Sequence, residues 1–198
     1  YRNRAMGICA FVGGGWFNSA TTDSSTVGGG WDNAASGDYA TIGGGRKNTG
    51  SGPDNTIAGG RENLATNQYD TISGGYLNTI TGDYATVAGG AINVVRGIVS
   101  TIGGGLYHSV SETYAVVPGG YSNKNYGNFA VIGGGRTNTV TNDYSTIAGG
   151  SNNHGEGDYS SVAGGRHNNA SAGYTSISGG YSNTVVGDFS TVGGGKQP

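Results

Sequence analysis

A β-branched aliphatic residue recurs every 15 positions, at Val12, Val27, Ile42, Ile57, Ile72, Val87, Ile102, Val117, Ile132, Ile147, Val162, Ile177 and Val192, with no insertion or deletion. One residue further on comes a Gly-Gly pair, from Gly14-Gly15 to Gly194-Gly195. A repeat this strict predicts units that contact mainly their neighbours, which is a solenoid. In the coil that begins Tyr69-Asp70-Thr71-Ile72-Ser73, alternation predicts a short strand. Ile72 and the slot two before it point inward, and Tyr69, Thr71 and Ser73 share the other face. The inward slot is mostly small, as at Ala40, Ala85, Ala115, Ala130, Ser145 and Ser160. The Gly-Gly pair permits positive φ or close backbone approach and marks a sharp turn. A second strand is expected through Asn78 and Ile80, the latter's slot holding Ala35, Ala65, Val95, Val110, Val140, Ala170 and Val185. Gly82-Asp83 closes the coil.

Two short strands and two tight turns per repeat predict an all-β fold, a parallel β-roll or β-helix solenoid of thirteen 15-residue coils, as one repeat domain over residues 1–198. Rungs about 4.8 Å apart would make a rod on the order of 60 Å long. A helical reading fails, because glycine at this density costs roughly 1 kcal/mol per residue in a helix. Neither end looks like a polar cap, so a segment of a longer fibre, or a unit that stacks end to end, is expected.

Composition narrows the function. The 43 glycines lack the every-third spacing of collagen. The net charge of -2 and the absence of a basic stripe leave nucleic-acid binding without electrostatic footing. No apolar run approaches the roughly 20 residues needed to span a bilayer, so no membrane insertion is expected. The single Cys9 occupies a slot usually held by Tyr or Phe and reads as a small packed hydrophobe.

The columns that the repeat stacks carry the remaining information. Asn3, Asn18, Asn33, Asn48, Asn63, Asn78, Asn93, Asn123, Asn138, Asn153, Asn168 and Asn183 form a column broken only at His108, expected to be a structural amide ladder. An aromatic column runs through Tyr39, Tyr69, Tyr84, Tyr114, Phe129, Tyr144, Tyr159, Tyr174 and Phe189, beside a threonine column that includes Thr41, Thr71, Thr86 and Thr146. Left exposed, these rings would exceed the apolar patch a soluble monomer usually shows. The Tyr/Thr face is therefore the candidate assembly face, packing against a copy of itself. A variable column follows the Gly-Gly pairs and includes Trp16, Trp31, Arg46, Arg61, Tyr76, Tyr121, Arg136, Arg166 and Tyr181. Its mixed aromatics and arginines are the candidate outer binding column, for a protein or glycan. A solvated rim without a ligand is the alternative.

Catalytic chemistry is not legible. His108, His154 and His167 lie in different columns, and no metal-ligand spacing is present. The column Asp38, Asp83, Asp143, Asp158 and Asp188 lacks the Gly-Gly-x-Gly-x-Asp pattern of calcium-binding rolls. The glycine runs have no Lys-Ser/Thr helix start behind them. Neither an enzyme nor a cofactor is expected.

The phrase Asp38-Tyr-Ala-Thr-Ile-Gly43, repeated as Asp83-Tyr-Ala-Thr-Val-Ala88 and Asp143-Tyr-Ser-Thr-Ile-Ala148, resembles the head repeats of YadA-like trimeric autotransporter adhesins. The spacers Asn33-Ala-Ala-Ser-Gly37 and Asn78-Thr-Ile-Thr-Gly82 are similar too. Related repeats look like shaft segments of phage tail fibres and other surface fibres. The resemblance implies a left-handed parallel β-roll, a side-by-side homotrimer, a cell-surface or virion-surface location, and adhesion to a host surface protein or glycan. The strict 15-residue coil, the Tyr before the strand and the added Gly-Gly depart from that family's pattern. Two other readings are an end-to-end structural filament and a monomeric ice-binding solenoid, the latter suggested by the threonine ladder.

Overall fold

The computed structural model describes residues 2–196. They form an all-β solenoid in which each 15-residue repeat is one coil carrying two 2-residue strands. No helix occurs among the described residues. The chain divides into two compact units, one running to Val99 and the other starting at Ser100. Each is built from the same coil.

Within the first unit, Thr71–Ile72 pairs in parallel with Thr56–Ile57 on one side and Thr86–Val87 on the other. Thr79–Ile80 pairs likewise with Leu64–Ala65 and Val94–Val95. In the second unit, Thr146–Ile147 lies between Val131–Ile132 and Ser161–Val162. Thr139–Val140 lies between Lys124–Asn125 and His154–Gly155. The register offset is one repeat throughout, so identical slots stack. A third line of contact was not legible in the sequence. The first residue after each Gly-Gly pair makes single-residue parallel bridges to its counterparts, from Trp16 to Ala91 in one unit and from Leu106 to Lys196 in the other.

The coil closes through left-handed corners. Tyr69 and Leu77 have φ of 59° and 52°. The sequence places Tyr69 at the head of a strand, whereas the structure puts it in the turn before Thr71. This conformation costs a non-glycine residue roughly 1 kcal/mol or more. Its return is in hydrogen bonding. The strand amide of Thr71 donates to Ala85 O one coil ahead (2.9 Å), but the corner amide of Tyr69 donates to Pro53 O one coil behind (3.1 Å). Leu77 N–H likewise donates backward to Arg61 O. Coils are thus tied in both directions, and backbone donors at the corners find partners that an extended conformation would deny them.

The core is a narrow stack. Ile42, Ile57, Ile72 and Val87 in the first unit, and Val117, Ile132, Ile147 and Val162 in the second, are fully buried. They face Ala35, Ala65, Ile80 and Val95, or Val110, Val140 and Ala170, also fully buried. The small inward slot two before the aliphatic is buried as expected at Ala40, Ala85, Ala115 and Ala130. In most Gly-Gly pairs it is the second glycine that leaves no room for a side chain. A Cβ on Gly75, at φ 93°, would overlap Gly90 O and Asn78 Nδ2, whereas one on Gly89 or Gly104 would meet nothing.

Candidate functional site

The asparagine column folds inward and is consumed by structure. Asn78 Nδ2 donates to Gly74 O (3.0 Å) in its own coil and to Gly90 O (3.1 Å) in the next. Its Oδ1 accepts from the Asn93 backbone N–H (3.1 Å). Asn153 repeats the pattern with Gly149, Gly165 and Asn168. Buried amides with their hydrogen-bonding capacity used in this way hold the Gly-Gly turn and offer little to a ligand. His108 keeps the scheme in part with an imidazole. It is buried, and its Nδ1 accepts from the Asn123 backbone N–H at 3.1 Å. Burial pushes its pKa below the usual histidine value, against the opposing pull of the Gly120 and Asn123 backbone groups.

The candidate assembly face is exposed. Its rings project from the left-handed corners, where Tyr39, Tyr69, Tyr84, Tyr114, Phe129, Tyr144, Tyr159, Tyr174 and Phe189 all have φ near 57°. Tyr144 is 46% and Phe189 is 78% exposed. In the first unit Tyr69 and Tyr84 stack at 4.8 Å, while Cys9, Ser24, Asp54 and Val99 occupy other corners of the same column. In the second unit Tyr114, Phe129, Tyr144, Tyr159, Tyr174 and Phe189 stack without a gap, at centroid spacings of 4.7–5.1 Å and interplanar angles of 2–18°. The rung spacing exceeds the thickness of a ring, so contact requires offset stacking, a favoured aromatic geometry. Beside the rings, Thr41 and Thr146 are exposed and Thr71 and Thr86 half-buried, each as the first residue of its strand. Cys9, expected to be packed, is exposed at one of these corners with φ 58°, because the corner projects its side chain away from the core.

The candidate outer column lies on the third line of contacts. Trp16, Trp31, Arg46, Arg61 and Tyr76 are stacked by successive bridges. The Arg46 guanidinium lies 4.3 Å from the Trp31 ring centroid and that of Arg61 lies 5.1 Å from Tyr76. Arg61 Nε also pairs with Glu62 Oε1 at 3.0 Å. In the second unit Arg136 lies 5.6 Å from the Tyr121 ring and Arg166 lies 6.0 Å from Tyr181. Between the two arginines an open notch of about 400 Å³ is lined by Arg136, Thr137, Ser151, Asn152 and Arg166. The corner residues Thr137 and Asn152 were not singled out from sequence. The visible signal was the short Ser151 set between two arginines of one column.

Among the described residues, no group of three or more His, Cys, Asp or Glu side chains is placed to hold a metal ion. No helix among them is long and apolar enough to cross a membrane.

The architecture defines the chain as a β-solenoid of tandem 15-residue coils whose interior is filled by its own side chains and whose exposed surface is written in columns. No protein-family model matches the chain, and no curated protein matches it.

Proposed function

We propose that the chain is a non-enzymatic segment of an extracellular fibre, a rigid solenoid that associates side by side with copies of itself, as a homotrimer, and presents its outer column for attachment. The observation that carries this reading is the uninterrupted exposed stack from Tyr114 to Phe189. Large aromatic rings held at backbone cost in left-handed corners, and left facing solvent, are best accounted for by a partner surface with the same spacing. A second copy supplies that spacing at every rung. The resemblance of the Asp-Tyr-Ala-Thr-Ile phrase to trimeric adhesin heads supports the same reading. Repetition of the outer column along a stiff scaffold would turn weak contacts into avidity.

Absolute mass in solution, from light scattering behind size exclusion, tests the proposal. A mass near three chains is expected, and Tyr144→Asp should reduce it to one. A wild-type mass of one chain overturns the assembly face and favours a monomeric surface such as the ice-binding reading. A large mass that grows with concentration favours the end-to-end filament instead.

A further inference from the structure

The notch in the second unit has features that a solvated rim does not require. Along the outer column the order is Tyr121, Arg136, Ser151, Arg166, Tyr181, so each arginine has an aromatic neighbour on its far side and a short side chain on its near side. Both guanidiniums lie against those tyrosines and so are drawn away from Ser151. The arginines stand two rungs apart, roughly 10 Å, with an open polar space between them.

The floor of the notch is ordered. Thr137 Oγ1 donates to Asn152 Oδ1 (2.6 Å), and Asn152 Nδ2 donates to Ser151 Oγ (2.8 Å). Because Ser151 Oγ accepts that bond, its own proton is available to the notch. No carboxylate lines the space. Arg61–Glu62 is the only arginine–carboxylate pair among the described residues, and it belongs to the first unit. There, Arg46 and Arg61 occupy successive rungs with no short residue between them.

Two opposed guanidinium forks with a hydroxyl donor between them match a tetrahedral oxyanion better than a carboxylate. A carboxylate's two oxygens are taken up by one fork, whereas a tetrahedral group also offers oxygens to the floor and to the second fork once the long arginine side chains swing in from their tyrosines. We propose that this notch binds a sulfate or phosphate monoester carried on a glycan. The inference rests on the reading of the outer column as an attachment surface and specifies its ligand.

The test uses the full chain and nuclear magnetic resonance titration with glucose 6-sulfate, glucose 6-phosphate and glucose. Saturable shifts of the Arg136 and Arg166 Nε–H signals are expected with at least one ester and not with glucose. The tighter ester identifies the glycan as sulfated or phosphorylated. Arg136→Gln and Arg166→Gln should each weaken binding at least tenfold, Ser151→Tyr should abolish it by filling the notch, and Arg96→Gln, at an exposed arginine outside the outer column, should leave it unchanged. Absence of saturable shifts with both esters overturns the site, as does an equal loss in Arg96→Gln, which would signify diffuse charge. The mass measurement is independent. A chain that assembles but binds neither ester sinks this site alone, and a monomer that binds one sinks the assembly reading alone.

Discussion

The two units share one coil and differ in what they hang on it. The first interrupts its corner column with Cys9, Ser24, Asp54 and Val99, and its arginines Arg46 and Arg61 sit on successive rungs. The second stacks its rings from Tyr114 to Phe189 without a break and spaces Arg136 from Arg166 by a serine. Yet the aliphatic column, the asparagine hydrogen bonds of Asn78 and Asn153 and the second glycine of most pairs are alike in both. The difference locates the constraint. The aliphatic and asparagine columns are held near-uniform by packing or hydrogen bonding to their own copies above and below, whereas outward columns are free of that constraint. Assembly and recognition are therefore to be sought where the units diverge.

The largest expected effect tests the shared part. Asn63→Ala and Asn153→Ala each remove two donations to glycine carbonyls and leave one buried backbone N–H without its acceptor, although Gly75 O and Gly165 O still accept from the Arg61 and Ser151 N–H groups. Each should cost roughly 4 kcal/mol, since a lost hydrogen bond costs about 1 kcal/mol and an orphaned buried donor about 1–3 kcal/mol. Urea denaturation should give nearly equal losses. A loss in one unit much smaller than in the other would break the equivalence of the two ladders.

Next come the two buried titratable groups, one per unit, whose pH dependences have opposite sign. Asp70 replaces the usual Ala or Ser of its inward slot, and burial pushes its pKa from near 3.8 up to about 6. The Ala85 and Asn67 backbone groups oppose that rise and the Asp83 charge adds to it. The folded chain keeps a proton that the unfolded chain releases, so this contribution is full below pH 3.8 and is lost as pH rises through 6. Asp70→Ser should thus stabilise the protein at pH 7 by about 3 kcal/mol and change little at pH 3.5 or below. For His108, whose folded pKa is lowered, the unfolded chain takes up the proton first. Its contribution is present above pH 6.5 and is lost as pH falls below that value. His108→Asn should flatten that acid limb. Urea midpoints for the wild type and both variants between pH 3.5 and 7.5 check the signs. Parallel profiles for the two variants would contradict the assignment.

The smallest effect concerns a gap in the first unit's core. Gly50 stands where most coils carry Ala, Val or Ile, Asn125 and Gly155 being the other exceptions. A Cβ there would meet Ala40 Cβ at 3.8 Å, Asn55 Cβ at 3.9 Å and Ile42 Cγ1 at 4.0 Å, all ordinary contacts. Gly50→Ala should stabilise by about 0.5–1 kcal/mol, read as a raised thermal midpoint. Gly75→Ala, at φ 93° and against Gly90 O, should not fold comparably.

The aliphatic and asparagine columns were legible in the sequence because residue type is nearly invariant in those two columns, whereas other enclosed slots admit Asp70, Asn125 and Gly50. The corners were not. A left-handed conformation is ordinarily announced by Gly or Asn, and here it is occupied by Tyr39, Val99, Ile92 and Phe129, chosen for what they present outward. Alternation therefore ran one turn too far and drew Tyr69 into the strand. The third line of bridges was hidden for a related reason: its residues, from Trp16 to Ala91, share no property but backbone position. The notch at Ser151 was not legible either, because residue type does not set which way a guanidinium leans.

The backward-donating corner has a consequence for how such a chain can change length. Deleting one residue upstream in a coil would bring Tyr76, with its Cβ, into the place of Gly75, and a deletion or an insertion alike would carry Asn78 off its two carbonyls and displace Tyr69 and Leu77 from their partners. A whole coil removed or duplicated disturbs none of these relations. Descent by unequal exchange is then held to steps of one repeat, and the ruler along which the exposed residues are spaced stays fixed while their identities drift.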